Sequence, residues 1–123
     1  MPWNLDSNKP IFIQLVERLE SDIVSGKYAP GDKLPTVRDL AVEAAVNPNT
    51  MQKAYGELER LGLVYSQRTN GRYVTEDAGL IEKTRKDLAE KTAEEFLSGM
   101  KELGIGREEA IRFLQGGSYE QNT

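Results

Sequence analysis

The sequence predicts a mainly α protein with one small β-hairpin, and three observations lead there. Apolar residues recur at helical spacing in several separate segments. Most of those segments open on Pro, Thr or Asn and close on Gly, the residues that start and stop helices. One stretch breaks the pattern: near Asn70-Gly71 the period falls to two on either side of a strong hairpin turn signal.

The chain opens on nine residues that are polar apart from Trp3 and Leu5. They read either as a short extended segment laid on the core or as a loose terminus anchored by Trp3. Pro10 then opens a helix, IFIQLVERLESDIVSG, that Gly26 ends. Ile11, Leu15, Leu19 and Ile23 make its inward stripe, widened by Phe12, Val16 and Val24. Tyr28-Ala29-Pro30-Gly31-Asp32 is turn chemistry, and Lys33-Leu34 is a candidate one- or two-residue strand.

The stretch from Leu34 to Gly62 reads as two short helices joined by a tight turn. Thr36, with Asp39 three residues on, is a cap for the first, and Val37, Leu40, Ala41 and Ala44 give it an apolar face. Asn47 caps the second helix, and Pro48 fits its first position, where a missing N–H is harmless. Met51, Ala54, Tyr55, Leu58 and Leu61 face inward, and Gly62 stops the helix. With only Ala45-Val46 between them, the pair is organised as a helix-turn-helix. The hairpin that follows, with Arg68 and Arg72 beside Gly71, then reads as a wing.

A long amphipathic helix is expected over 78–103, broken by Gly104 and followed by a short helix from Arg107 to Gln115. Two such helices are too little chain to enclose a metabolite-sized pocket. Their apolar positions, Ile81, Leu88, Phe96, Met100, Ile111 and Leu114, are therefore candidates for pairing with a second copy. The expected organisation is a winged helix-turn-helix over 1–76, a two-helix dimerisation appendage over 77–116 and a flexible tail over 117–123.

Composition narrows the function. The absence of Cys and His excludes thiol chemistry, histidine base catalysis and the usual zinc sites, so neither an enzyme nor a metal or cofactor site is expected. No apolar run approaches the ~20 residues that span a bilayer, and a cytoplasmic protein without membrane partners is expected. The net charge of −4 looks unfavourable for nucleic acid, but it is unevenly placed. Residues 1–75 are neutral and the deficit lies entirely in 76–123. Between 33 and 72 six cations face four carboxylates, a local excess of two positive charges.

A recognition helix enters the major groove by its N-terminal residues. Here those are Asn47, Asn49, Thr50, Gln52 and Lys53, donors and acceptors for base edges and one cation for a phosphate. Thr36 and Arg38 on the first helix, and Arg68, Gly71 and Arg72 on the wing, complete a candidate surface for double-stranded DNA. The competing reading of the same residues is a winged-helix protein-interaction module with no DNA affinity.

Pro10-Ile11-Phe12, Gln14, Ile23 and Gly26, the run from Pro30 to Ala41, Val46-Asn47-Pro48-Asn49-Thr50, Gly62-Leu63-Val64 and Gly71 with Val74 together resemble the GntR family of bacterial transcription regulators. The Asn-Pro-Asn-Thr helix start and short helical tail are similar to its YtrA-like subfamily. The resemblance implies a homodimer on a palindromic operator, usually a repressor of a neighbouring operon that often encodes a transporter. It implies that Arg38 contacts the DNA backbone or a guanine and that Asn49, Thr50 and Lys53 are recognition-helix contacts, with Gly71 the wing glycine. Many members carry Ser-Arg where this chain has Pro48-Asn49, so its preferred operator bases are expected to differ. No effector site carries over.

Overall fold

A computed structural model describes residues 3–67 and 70–116. Its order is α1 (Ile11–Val24), α2 (Val37–Ala44), α3 (Pro48–Arg60), β1 (Val64–Gln67), β2 (Gly71–Val74), α4 (Ala78–Glu102) and α5 (Arg107–Gln115). This is the mainly helical chain with a two-stranded wing that the residue pattern predicts.

The caps form as their chemistry requires. Thr36 Oγ1 accepts from the Asp39 N–H at 3.1 Å, and Asn47 Oδ1 accepts from the Asn49 N–H at 2.7 Å. Each side chain satisfies a backbone donor that the first helical turn leaves without a partner. Beyond α3, Gly62 takes φ +82°, which carries the chain into β1. A Cβ there would lie 3.3 Å from a Leu80 methyl, so the chain passes close as well as turning tightly.

The core is built by one face of each element. Leu15, Val16, Leu19 and Ile23 of α1, Leu40, Ala41 and Ala44 of α2, and Met51, Ala54, Tyr55 and Leu58 of α3 are buried together. Leu34, Leu63, Val64 and Val74 close it from the wing side. Trp3 joins them at 8% exposure and Leu5 packs beside it, so the opening segment is laid on the core, although its described residues 3–9 form no strand. Its indole N–H donates to Glu43 at 3.2 Å, and the Arg18 guanidinium lies 4.3 Å from its ring centroid. Gln14 fixes the same segment through Asp6, accepting from its N–H at 2.8 Å and donating to its C=O at 2.7 Å.

The wing differs from its simplest reading. Val64 pairs with Val74 and Gln67 with Gly71, so Gly71 is the first residue of β2 instead of half of a two-residue turn. A third segment fixes this register. Lys33 bridges Tyr73, Leu34 N–H donates to Arg72 C=O at 2.9 Å, and Val74 N–H donates to Asp32 C=O at 2.8 Å. The strand suspected at Lys33-Leu34 therefore pairs with the outer edge of β2. Tyr65 and Tyr73, opposite one another, stack with ring centroids 5.9 Å apart.

The chain divides into two compact units, Met1–Arg85 and Lys86–Thr123. Leu80 and Ile81, in the first turn of α4, pack against the core of the first unit. In the second unit Ala110 is buried, while Leu103 and Leu114 are 74% and 69% exposed. The expected tail at 117–123 lies outside the described residues.

Candidate nucleic-acid interface

The two faces of α3 are chemically separate. Met51, Ala54, Tyr55 and Leu58 fill the core, and the alternate positions Asn49, Gln52 and Lys53 are exposed. Asn47 is also exposed and Thr50 half-buried. Asn47 uses its carbonyl oxygen for the cap, which leaves its amide NH2 as the outward donor. Lys53 leans back toward α1, with Nζ 5.7 Å from the Phe12 ring centroid.

At the head of α2, Thr36 accepts one backbone bond and still has its hydroxyl proton to donate. Arg38, in the first turn, is exposed and has no ion-pair partner among the described residues. Such a cation is available to a phosphate. Tyr55 ties the two helices' frame together: its hydroxyl donates to the Pro35 C=O at 2.7 Å, just before α2 begins. Burial first, then the neighbouring Tyr28, pushes the Tyr55 hydroxyl well above the usual phenol range, so it stays a donor at neutral pH.

Of the two wing arginines, the one among the described residues is paired within the fold. Gly71 is exposed with φ +94°, and a Cβ there would stand 3.3 Å from Lys33 Cε. Arg72 is not a free tip arginine. Its Nε lies 3.2 Å from Glu59 on α3, its guanidinium lies 5.4 Å from the Tyr55 ring centroid, and its side chain is 20% exposed. Ser66, opposite Arg72 on β1, donates its hydroxyl to the second Glu59 oxygen at 2.9 Å. These hydrogen bonds from Ser66 and Arg72 hold the Glu59 carboxyl below the usual range. Arg72 and Glu59 are thirteen residues apart, so no helical or hairpin spacing signals their pairing. Arg68 lies outside the described residues.

Residue reasoning overlooked Lys33 as part of this surface. It is exposed, and the bridge to Tyr73 sets its side chain beside Gly71. The signal was present in the suspected strand at 33–34, but only the pairing with β2 shows that the cation lies along the wing.

The positions read as dimerisation residues fall in different surroundings. Ile81 is packed on the first unit's core. Leu88 and Met100 are half-buried, and Phe96, Ile111 and Leu114 are exposed. Among the described residues no group of His, Cys, Asp or Glu could hold a metal ion. No helix among them is long and apolar enough to cross a membrane.

Known proteins share this arrangement. The family model described as "Bacterial regulatory proteins, gntR family" matches residues 13–74, from α1 to the end of the wing. The regulator YhcF of Bacillus subtilis is 39% identical over 121 residues, covering 95% of this chain and 100% of that protein. The transcriptional repressor YtrA of the same organism is 44% identical over 72 residues, 58% of this chain and 55% of YtrA. A solved GntR family transcriptional regulator from Listeria monocytogenes superposes with a TM-score of 0.83 at 42% identity, covering 93% of this chain and all of that one. The AraR DNA-binding domain, solved in complex with operator ORR3, superposes with a TM-score of 0.53 at 33% identity over 61% of this chain and 90% of that one. With its helix-turn-helix, its wing and a relative matched along its whole length, the chain belongs to the GntR family of transcriptional regulators, which are DNA-binding proteins and not enzymes.

Proposed function

We propose that this regulator is a repressor that binds a palindromic operator as a homodimer, reading bases with the start of α3. The observation that carries this is the polar, exposed N-terminal face of a helix whose opposite face is wholly core: Asn49 and Gln52 outside, Met51 and Ala54 inside. Asn and Gln amides suit bidentate bonding to adenine in the major groove. Thr36, Arg38 and Lys53 fix register on phosphates, with Lys33 and Gly71 following the backbone along the wing. Repression is supported by the similarity to YtrA, and operator binding by the similarity to the operator-bound AraR domain.

Dimerisation is supported by the second unit, where Phe96 on α4, Leu103 just after it, and Ile111 and Leu114 on α5 leave apolar side chains exposed. A second copy is the simplest cover for such surface, and a two-fold protein reads a two-fold DNA sequence. Hydroxyl-radical footprinting on the DNA upstream of the protein's own gene tests the reading. Two protected half-sites, about one helical turn or a multiple of it apart, are expected. A single unrepeated footprint contradicts the dimer, and no footprint on any genomic fragment contradicts operator binding.

A further inference from the structure

The wing's Arg72 is less exposed than Arg60 and is held across the fold instead of within one helix. Arg60 meets Glu57 within one turn of α3 and is 69% exposed, an ordinary surface pair. Arg72 links two different elements. It is flanked by the Tyr55 ring and Glu59, and the second Glu59 oxygen is taken by Ser66. Both oxygens of that carboxylate are therefore engaged by the wing, one from each strand. Yet Arg72 is the residue after Gly71, where β2 begins, and a phosphate would be a natural acceptor for its guanidinium.

We propose that Glu59 is a specificity-determining residue: by holding Arg72 against α3, it withholds one cation from the DNA phosphates. This rests on the DNA-binding reading above. Phosphate contacts strengthen binding to every sequence alike, whereas base contacts discriminate. The segment from 33 to 72 carries only six cations and four carboxylates, so one arginine is a large fraction of its positive charge. Keeping Arg72 on Glu59 lowers the sequence-independent attraction and leaves the base readout at the start of α3 unchanged. The operator is then favoured over the rest of the genome by a wider ratio.

The test is a double-mutant cycle on the full chain, read as the slope of log affinity against log salt by fluorescence anisotropy. The probes are the gene's own upstream duplex and a scrambled duplex. Each phosphate neutralised adds about 0.9 to the magnitude of that slope. Glu59→Gln is expected to steepen it by about that much, so that affinity falls roughly 3.5-fold further than the parent's between 50 and 200 mM salt. The variant should also narrow the ratio between the two duplexes. Arg72→Gln alone is expected to keep the parental slope, and Glu59→Gln with Arg72→Gln should return to it. An unchanged slope in Glu59→Gln overturns the proposal. So does a steepening that persists without Arg72, which would belong to the lost carboxylate charge alone. A shallower slope in Arg72→Gln also overturns it, because Arg72 would already contact phosphate. If the parent binds both duplexes without preference or salt dependence, the DNA-binding reading falls and the proposal with it. Null variants in a parent that binds normally remove only the proposal.

Discussion

Ala45 sits in the turn of the helix-turn-helix with φ +60° and ψ +48°, the one non-glycine residue at positive φ among those described. An L-residue in that left-handed region crowds its Cβ against the neighbouring carbonyl, at roughly 1–2 kcal/mol. Glycine has no such penalty there, but it gives the unfolded chain more freedom, worth roughly 0.4–1 kcal/mol in the opposite direction. The turn's hydrogen bonds do not involve the methyl. Ala45 N–H donates to Val42 C=O at 3.1 Å, and Val46 N–H donates to Ala41 C=O at 3.0 Å. The side chain is exposed, so its loss uncovers little. Ala45→Gly is therefore expected to stabilise the first unit by roughly 0.5–1 kcal/mol. For a unit of this size that raises Tm by roughly 2–8 °C. Trp3, the single tryptophan, is buried in the same unit, so its fluorescence during urea unfolding reports the transition directly. A variant no more stable than the parent would refute the reasoning, showing either that the turn relaxes without strain or that the methyl packs where it looks free.

Three further outcomes follow from the same contacts. Arg38→Ala should weaken operator binding by about 1–3 kcal/mol and flatten the salt slope by about one, with urea unfolding unchanged. Tyr55→Phe removes the donor to the Pro35 carbonyl and should cost about 1–2 kcal/mol in urea unfolding. Because Tyr55 is raised in the folded state, its contribution is complete below the ordinary phenol value of about 10 and is lost as pH rises beyond it. Alkaline destabilisation should accordingly be weaker in Tyr55→Phe than in the parent. Phe96→Asp should yield monomers in sedimentation; persistent dimers would place the interface away from Phe96.

What the sequence made legible was governed by short range. Thr36, Asn47, Pro48 and Gly62 act within one helical turn, and their caps and stops formed where residue chemistry places them. The apolar stripes of α1 and α3 were equally legible, because a core face is a matter of period. The wing was legible as a hairpin but not in register. Asn70-Gly71 alone favours a two-residue turn, whereas the pairing of Lys33 with Tyr73 binds β2 from its other edge. Trp3 was legible as an anchor, but its partners were not, since Arg18 and Glu43 that hold it are remote in the chain. The same limit applies to Arg72: its charge is visible in the sequence, but its partner Glu59 is set by the packing of the wing on α3. Residue type and helical phase identified the polar face of α3, while the availability of each cation depended on contacts across the fold.

The most direct test of DNA recognition by this surface is fluorescence anisotropy on the duplex upstream of the protein's own gene, against a scrambled duplex, at two salt concentrations. Tight binding that prefers the upstream sequence and weakens as salt rises is the expected result. Weak binding, equal on both duplexes, would contradict it and bring the protein-interaction reading of the same winged helix to the front.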